Sequence, residues 1–333
     1  MDLQLLDQTL ADLGEPHFRA GQVWTWTARG ARGYEEMTNI PARLRETLQR
    51  ELPFTSLELR EQAHADDGTV KALFATTDGR ALEAVLMRFR DGRRSICVSS
   101  QSGCPLTCKF CATGAMKFAR NLSASEILEQ ALHFRRMEAI DHCVFMGMGE
   151  PMMNLDNVLA ACERLPDIGI THRRTTISTV GWIPGIETLS ECDMPVRLAL
   201  SLHAADEALR SELMPVNERY PLSEVLDACR AFYARKRRRV FVEYVMLAGV
   251  NDRYEQALAL ADALSQGRNA QPIFKVNLIP YNPTAAGAYE GSGRESIAAF
   301  QAALESRGIP VTVRLTRGRD IAAACGQLAA KAA

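Results

Sequence analysis

The sequence has almost no surplus of charge of either sign. Its 39 Lys and Arg residues stand against 40 Asp and Glu, a net charge of −1. No global field steers it toward nucleic acid or an anionic surface, so any such binding has to use local patches. Long apolar runs are missing too. The N-terminus, Met1-Asp-Leu-Gln-Leu-Leu-Asp-Gln8, has no basic stretch and no extended hydrophobic segment, and neither a secretory signal nor a membrane span is expected. Internal repeats and low-complexity tracts are absent. Nine cysteines in 333 residues without a leader do not read as a disulfide framework. A reducing cytoplasm is the expected compartment. The composition, 47% hydrophobic and 24% charged, is that of a globular protein. The length suits a large α/β domain with an accessory domain.

What is present is concentrated. Cys104, Cys108 and Cys111 lie in the run Gly103-Cys-Pro-Leu-Thr-Cys-Lys-Phe-Cys-Ala-Thr-Gly114, with spacing Cys-x3-Cys-x2-Cys. Three thiolates on one short loop can hold three irons of a [4Fe–4S] cluster and leave the fourth open to a chelating amine and carboxylate. This resembles the signature of radical S-adenosylmethionine (SAM) enzymes. A zinc site on the same loop is the alternative. Zinc knuckles usually come as two Cys pairs, however, and there is no second pair.

The pattern changes along the chain. Residues 1–65 read as helical, with apolar periodicity over Asp2–Leu13, Phe18–Trp26 and Pro41–Leu52. Residues 66–92 read as a β-hairpin linker turning at Asp78-Gly79. Residues 93–333 alternate strand and helix. Strands are expected at Ser95–Ser100, Cys143–Met146, Thr175–Thr179, Val196–Leu202, Val240–Leu247 and Phe274–Ile279, then a last strand at Pro310–Leu315 and a terminal helix. Ser123 with Glu126 forms a capping box at the start of one helix. Six β-then-α units predict an α/β fold, a parallel partial (β/α)6 barrel preceded by a helical accessory domain.

Polar motifs end the predicted strands. The cysteine loop follows the first, Gly147-Met-Gly-Glu150-Pro151 the second, Ser178-Thr-Val-Gly181 the third, Ser201-Leu-His203 the fourth and Asn282-Pro283 the sixth. In barrels of this kind the site forms at the C-terminal strand ends. Each motif alone has a plainer reading: Gly147 and Gly149 as turn residues, His203 as a core histidine.

Taken together the motifs resemble the radical-SAM 23S rRNA adenine methyl synthases, the RlmN/Cfr group, nearly end to end. The similarity runs through Arg19-Ala-Gly-Gln22, Met37-Thr-Asn39, Cys97-Val-Ser-Ser-Gln101, Arg120-Asn-Leu122, Gly147-Met-Gly-Glu150, Ser201-Leu-His203, Glu243-Tyr244-Val, Asn251-Asp252, and Thr316-Arg-Gly-Arg-Asp320 with Ala-Ala-Cys325-Gly. The Thr316 run is most like the RlmN branch, which modifies carbon 2 of adenine rather than carbon 8.

The resemblance implies a chemistry. Cys104, Cys108 and Cys111 would hold the cluster. Cys325 would attack the methyl of one SAM as a thiolate. A second SAM, cleaved at the cluster, would supply a 5′-deoxyadenosyl radical that takes hydrogen from the S-methyl group. The methylene radical would add to adenine, Glu83 would accept the ring proton, and Cys97 would attack the Cys325 sulfur to release product and leave a disulfide. SAM contacts would come from Gly149, Glu150, Ser178, Ser201, Leu202, His203 and Asn282. Thr179 is an alternative to Ser178, because the interval to Ser201 is one residue longer than the family pattern. The interval from Glu83 to Cys97 is also one residue long, which an insertion at Arg90–Gly92 accounts for. Cys143, Cys162, Cys192 and Cys229 match no family function and read as packing residues.

The implied partners are 23S rRNA, with tRNA as a candidate second substrate, and an electron donor such as flavodoxin or ferredoxin. The enzyme is expected to be a monomer without membrane association. Arg19, Arg29, Arg32, Lys117 and Arg120 are the RNA-contact candidates. The Arg235–Arg239 run precedes a strand, on the far face of the barrel, and reads as a solvated helix end. The rival readings are carbon-8 methylation, another radical-SAM reaction, and a non-catalytic metal-binding RNA module.

Overall fold

The computed structural model describes residues 1–265, 272–284 and 289–330. Three helices open the chain: α1 Leu3–Asp12, α2 Phe18–Arg29 and α3 Ala42–Glu51. Asp2 caps α1 by accepting from the Leu5 amide at 3.0 Å. Gly30 ends α2 at φ +101°, a conformation in which a side chain would be strained. Their inward faces, Leu6, Leu10, Val23, Leu44 and Leu48, close on Tyr34, Met37 and Ile40 as a core of their own.

The strands are β1 Leu57–His64, β2 Val70–Thr76, β3 Ala81–Arg88, β4 Arg94–Cys97, β5 Gln101–Ser102, β6 Arg120–Asn121, β7 His142–Phe145, β8 Thr175–Thr179, β9 Arg197–Ser201, β10 Val240–Met246, β11 Phe274–Pro280 and β12 Val311–Val313. β5 and β6 form a small ladder of their own at the base of the cysteine loop. The other ten make one sheet in the order β1-β2-β3-β4-β7-β8-β9-β10-β11-β12. Pairing from β4 through β12 is parallel. Helices α4 Ala124–Met137, α5 Leu155–Arg164, α6 Ile183–Glu191, α7 Glu207–Leu213, α8 Leu222–Lys236, α9 Tyr254–Ser265 and α10 Arg294–Ser306 fill the crossovers. Parallel strands are covered on both faces, so β8 is buried at every position. The six β-then-α units and the open barrel are those expected. The capping box of α4, Ser123 with Glu126, is present.

Two elements differ from expectation. Residues 57–64, inside the stretch read as helical, form β1. Its mostly exposed residues give little periodicity, and its backbone is satisfied by antiparallel pairing with β2. The hairpin β2–β3 is therefore part of the main sheet, with Val85 opposite Cys97. The expected terminal helix is also not formed among the described residues: 314–330 hold turns at 319–322 and 325–326 and otherwise no regular element. Gly318 and Gly326 take positive φ there, which breaks helical propagation.

The helical unit is fastened to the barrel by Trp24, whose indole donates to Asp167 at 2.7 Å. Trp24→Phe keeps an aromatic side chain but removes that bond and part of the buried indole. It should lower stability by roughly 1–3 kcal/mol in urea unfolding. Unchanged stability would show the contact to be idle.

Candidate active site

The cysteine loop spans the gap between β5 and β6. It enters through Gly103 at φ +75°, where a Cβ would lie 2.4 Å from the Lys117 carbonyl oxygen. Cys111 donates its amide to the Cys108 carbonyl at 3.2 Å, folding the last two cysteines into one turn. All three line a single cavity of about 140 Å³. Burial pushes Cys104 up to about 12, with Glu150 and Cys111 adding to the rise. Burial and the facing thiols also raise Cys108 well above the ordinary thiol range. Three desolvated donors held together are costly as bare thiolates, and a cationic iron cluster would supply the missing compensation. Among the described residues, no three His, Cys, Asp or Glu side chains are grouped to hold a metal ion. The thiolates of a cubane cluster sit on separate irons and need not converge on one point. The donor set therefore fits the cluster better than zinc.

The rest of the cavity comes from the strand ends. Gly149, Glu150, Ser178, Thr179, Ser201, His203, Asn282 and Cys325 all line it. Gly149 sits at φ +97°, and a Cβ there would come within 2.5 Å of Gln101. Only glycine allows this approach. Glu150 accepts from the amides of Met152 at 3.1 Å and Val180 at 3.0 Å. Burial nevertheless raises it to about 7, so the buried carboxylate is suited to a cationic ligand such as an ammonium. His203 accepts from the Val245 amide through Nδ1 at 3.0 Å. Burial and nearby Arg210 hold its pKa near 3, leaving a neutral ring with its proton on Nε2. Its ring meets Phe110 edge-on at 4.6 Å. Ser178 and Ser201 approach at 3.4 Å between hydroxyls. Both Ser178 and Thr179 reach the cavity, but the Thr179 hydroxyl already accepts from the amides of Gly181 and Trp182.

Cys325 reaches this cavity because the C-terminal segment is stitched to the cysteine loop. The Ala112 amide donates to the Gly326 carbonyl at 2.8 Å. The Thr113 hydroxyl donates to the Leu328 carbonyl at 2.6 Å. Asn282 donates to the Cys325 carbonyl at 3.3 Å. Cys325 counts as exposed, yet that surface faces a recess walled by protein, and desolvation pushes its thiol up to about 11. Cys97, at the end of β4, is pushed up to about 12 by burial and by the nearby Cys325 sulfur. The two cysteines, 228 positions apart in the chain (325 − 97), are thus brought within electrostatic reach of each other. Among the described residues, Arg314 is the one charged side chain that draws both thiols down.

Three expected residues, Cys97, Leu202 and Glu83, stand outside the cavity wall. Leu202 is fully buried, and its backbone bonds Glu243 and Arg210 instead. Glu83 lines a neighbouring recess with Lys71 and Ala329. Its carboxylate pairs with Lys71 at 3.0 Å and accepts from the amides of Ala329 and Ala330 at 2.9 and 3.0 Å. It therefore grips the same C-terminal segment that carries Cys325. Sequence reasoning assigned no role to Glu243, which lines the cavity while accepting from Arg314 at 2.8 Å and Asn277 at 2.9 Å. A charged residue within an apolar strand, Val240-Phe-Val-Glu-Tyr-Val-Met246, was the available signal.

Of the RNA-contact candidates, Arg29, Arg32 and Lys117 are exposed. Arg19 pairs with Glu15 at 3.4 Å. Arg120 is held between Asp78 at 2.6 Å and Glu126 at 2.8 Å, fastening the hairpin turn to α4 rather than standing free. No helix among the described residues is long and apolar enough to cross a membrane.

The chain is similar to known proteins in sequence and fold. Residues 98–261 match the radical SAM superfamily. Residues 1–52 match the ribosomal RNA large subunit methyltransferase N-terminal domain. A probable dual-specificity RNA methyltransferase RlmN of Chloroflexus aurantiacus is 45% identical, over 99% of this chain and 92% of the relative. Its counterpart in Thermus thermophilus is 43% identical, over 99% and 93%. The crystal structure of a radical SAM methyltransferase from Sphaerobacter thermophilus superposes with a TM-score of 0.93 at 42% identity, covering 99% of this chain and 98% of that one.

Gly149→Ala should drive a methyl group into Gln101 and strain the backbone by about 1–3 kcal/mol. SAM affinity, measured by anaerobic calorimetry, should fall at least about tenfold. Wild-type affinity would remove Gly149 from the site.

Proposed function

Since the chain belongs to the RlmN family of radical-SAM RNA methyltransferases, we propose that it methylates carbon 2 of an adenosine in 23S rRNA through an S-methylcysteine on Cys325. The observation that carries this reading is that Cys325 lines the same cavity as the three cysteines of the loop and lies within electrostatic reach of Cys97. The enzyme uses a [4Fe–4S] cluster and SAM. When bound, the cluster supplies the electron for reductive cleavage of SAM. Cys104, Cys108 and Cys111 would hold it.

The chain's own residues divide the remaining work. Glu150 receives the ammonium of SAM, while Ser178, Ser201, His203 and Asn282 border the rest of the molecule. Leu202 contributes backbone only. Gly149 lets the chain pass close enough for these contacts. Cys325 takes the methyl group as a thioether, for which its thiol must first lose a proton; Arg314 favours the thiolate. Once a carbon bridge joins that sulfur to adenine, the bridge cannot release itself. Cys97 attacks the Cys325 sulfur, the sulfur–carbon bond breaks with its electron pair passing to the adenine-borne carbon, that carbon takes up a proton to become the methyl group, and a Cys97–Cys325 disulfide remains. Glu83 accepts the ring proton. To do so it has to exchange the amides of Ala329 and Ala330 for the substrate, so the end of the C-terminal segment shifts when RNA binds.

RNA lies over the mouth, where Arg29, Arg32 and Lys117 meet its phosphates. Phe118, exposed next to Lys117, gives a surface for a splayed base. A tRNA is the candidate second substrate, in keeping with the dual specificity in the relatives' names. A flavodoxin- or ferredoxin-like protein is the electron donor, the enzyme acts as a monomer, and the cytoplasm is its compartment.

Cys97→Ala should still accept methyl on Cys325 and then trap RNA covalently. Cys325→Ala should do neither. A denaturing gel with nuclease treatment separates the outcomes; methylated RNA released by Cys97→Ala without an adduct would reverse the assignment. Glu83→Gln should keep Cys325 methylation within about twofold while lowering RNA product by about a hundredfold or more. Equal loss of both steps would mark Glu83 as a strut for the C-terminal segment and nothing more.

A further inference from the structure

The barrel has a second opening that the proposed reaction does not use. A cavity of about 430 Å³ occupies its interior. At one end it is walled by Arg93, Arg174 and Arg197, which stand at the N-terminal ends of β4, β8 and β9. Glu243 and Arg314 lie along it, and Cys325 walls the other end. The cysteine loop and the proposed RNA mouth are on the opposite face of the barrel.

The floor of this cavity is short of anions. Among the described residues, Arg174 has only Asp141 as a carboxylate partner, at 3.8 Å. Arg93 is paired with Asp91 at 2.8 Å. Arg197 has no carboxylate or hydrogen-bond partner among the described residues, only the Phe241 ring at 6.0 Å. Desolvation and Arg174 both act against its charge. Nearby Arg238, pressed by Arg197 and Arg173, has a buried Nε without a partner. Like charges gathered at the entrance of a low-dielectric passage raise the local concentration of anions.

The proposed reaction leaves a Cys97–Cys325 disulfide, and another turnover requires two electrons to reopen it. We propose that the arginine-floored interior of the barrel admits a small anionic thiol that reduces this disulfide from the face opposite the RNA. The inference rests on the disulfide assigned above. A thiolate attacks the Cys325 sulfur, the disulfide bond breaks, and Cys97 leaves as a thiolate beside Arg314 and takes up a proton. A second thiol attacks the mixed disulfide, forms the external disulfide and frees Cys325. Two thiols are oxidised and one protein disulfide is reduced.

The test starts from enzyme after one turnover, with the Cys97–Cys325 disulfide established by peptide mass. Reopening is followed by alkylation of the freed thiols at low salt, using 2-mercaptoethanesulfonate as the anionic probe and 2-mercaptoethanol as the neutral one. Differences in intrinsic thiol reactivity cancel when the anionic-to-neutral rate ratio is compared between proteins. That ratio should fall about fivefold in the Arg174→Gln/Arg197→Gln variant and recover in Arg197→Lys. It should also fall with added salt in the wild type. The neutral-thiol rate serves as the control for an intact fold. A ratio that is the same in wild type and variant overturns the inference and leaves the disulfide standing. So does strong slowing by saturating product RNA, which would route the thiol through the RNA mouth. Failure to find the disulfide after turnover overturns the mechanism above and this inference with it.

Discussion

Two hydrogen bonds carry the arrangement: the Ala112 amide to the Gly326 carbonyl and the Thr113 hydroxyl to the Leu328 carbonyl. They join the loop that bears three cysteines to a segment more than two hundred residues later. That segment has no helix or strand of its own, so nothing local fixes its path. Its backbone groups are satisfied by the cysteine loop, by Asn282 and by Glu83. Cys325 is therefore positioned by contacts that the site itself provides. The segment's apolar residues Ala323, Leu328 and Ala330 are buried in the main core and add to that hold.

The electrostatics follow from burial. Every thiol the proposed mechanism needs as a nucleophile sits where desolvation opposes ionisation. Arg314 is the shared counterweight, and Glu243 with Asn277 fixes its guanidinium in place. One cation serving two sulfurs suits thiols that act in turn and never need to be thiolates together. The same logic explains the neutral His203. A protonated ring there would lose its bond from the Val245 amide and face Arg210.

Much of this was legible in the chain. Strand and helix periodicities located the six parallel units, since buried parallel strands read as apolar runs and their ends carry the polar motifs. The cysteine spacing picked out the loop whose three thiols line the cavity. Less was legible where satisfaction comes from afar. β1 has no distinctive pattern alone and depends on β2 for its bonds. The C-terminal segment has small residues of high helical propensity, but its carbonyls are claimed by residues 112 and 113, a tertiary preference that outweighs the local one. Glu83 shows the same limit: its residue type suits a proton acceptor, while the amides it grips, Ala329 and Ala330, lie 246 and 247 positions away along the chain. Arg120 looked like a phosphate ligand and is instead occupied by Asp78 and Glu126.

The central claim is that the methyl group resides on Cys325 before it reaches RNA. A pulse–chase tests it most directly. The enzyme is given methyl-deuterated SAM without RNA, transferred to unlabelled SAM, and then supplied with RNA under reducing conditions. The account predicts that the label first appears on the peptide containing Cys325 and then moves into the adenine of the first RNA turnover. Unlabelled first-turnover RNA, with the label left on the protein or never found on Cys325, would contradict it.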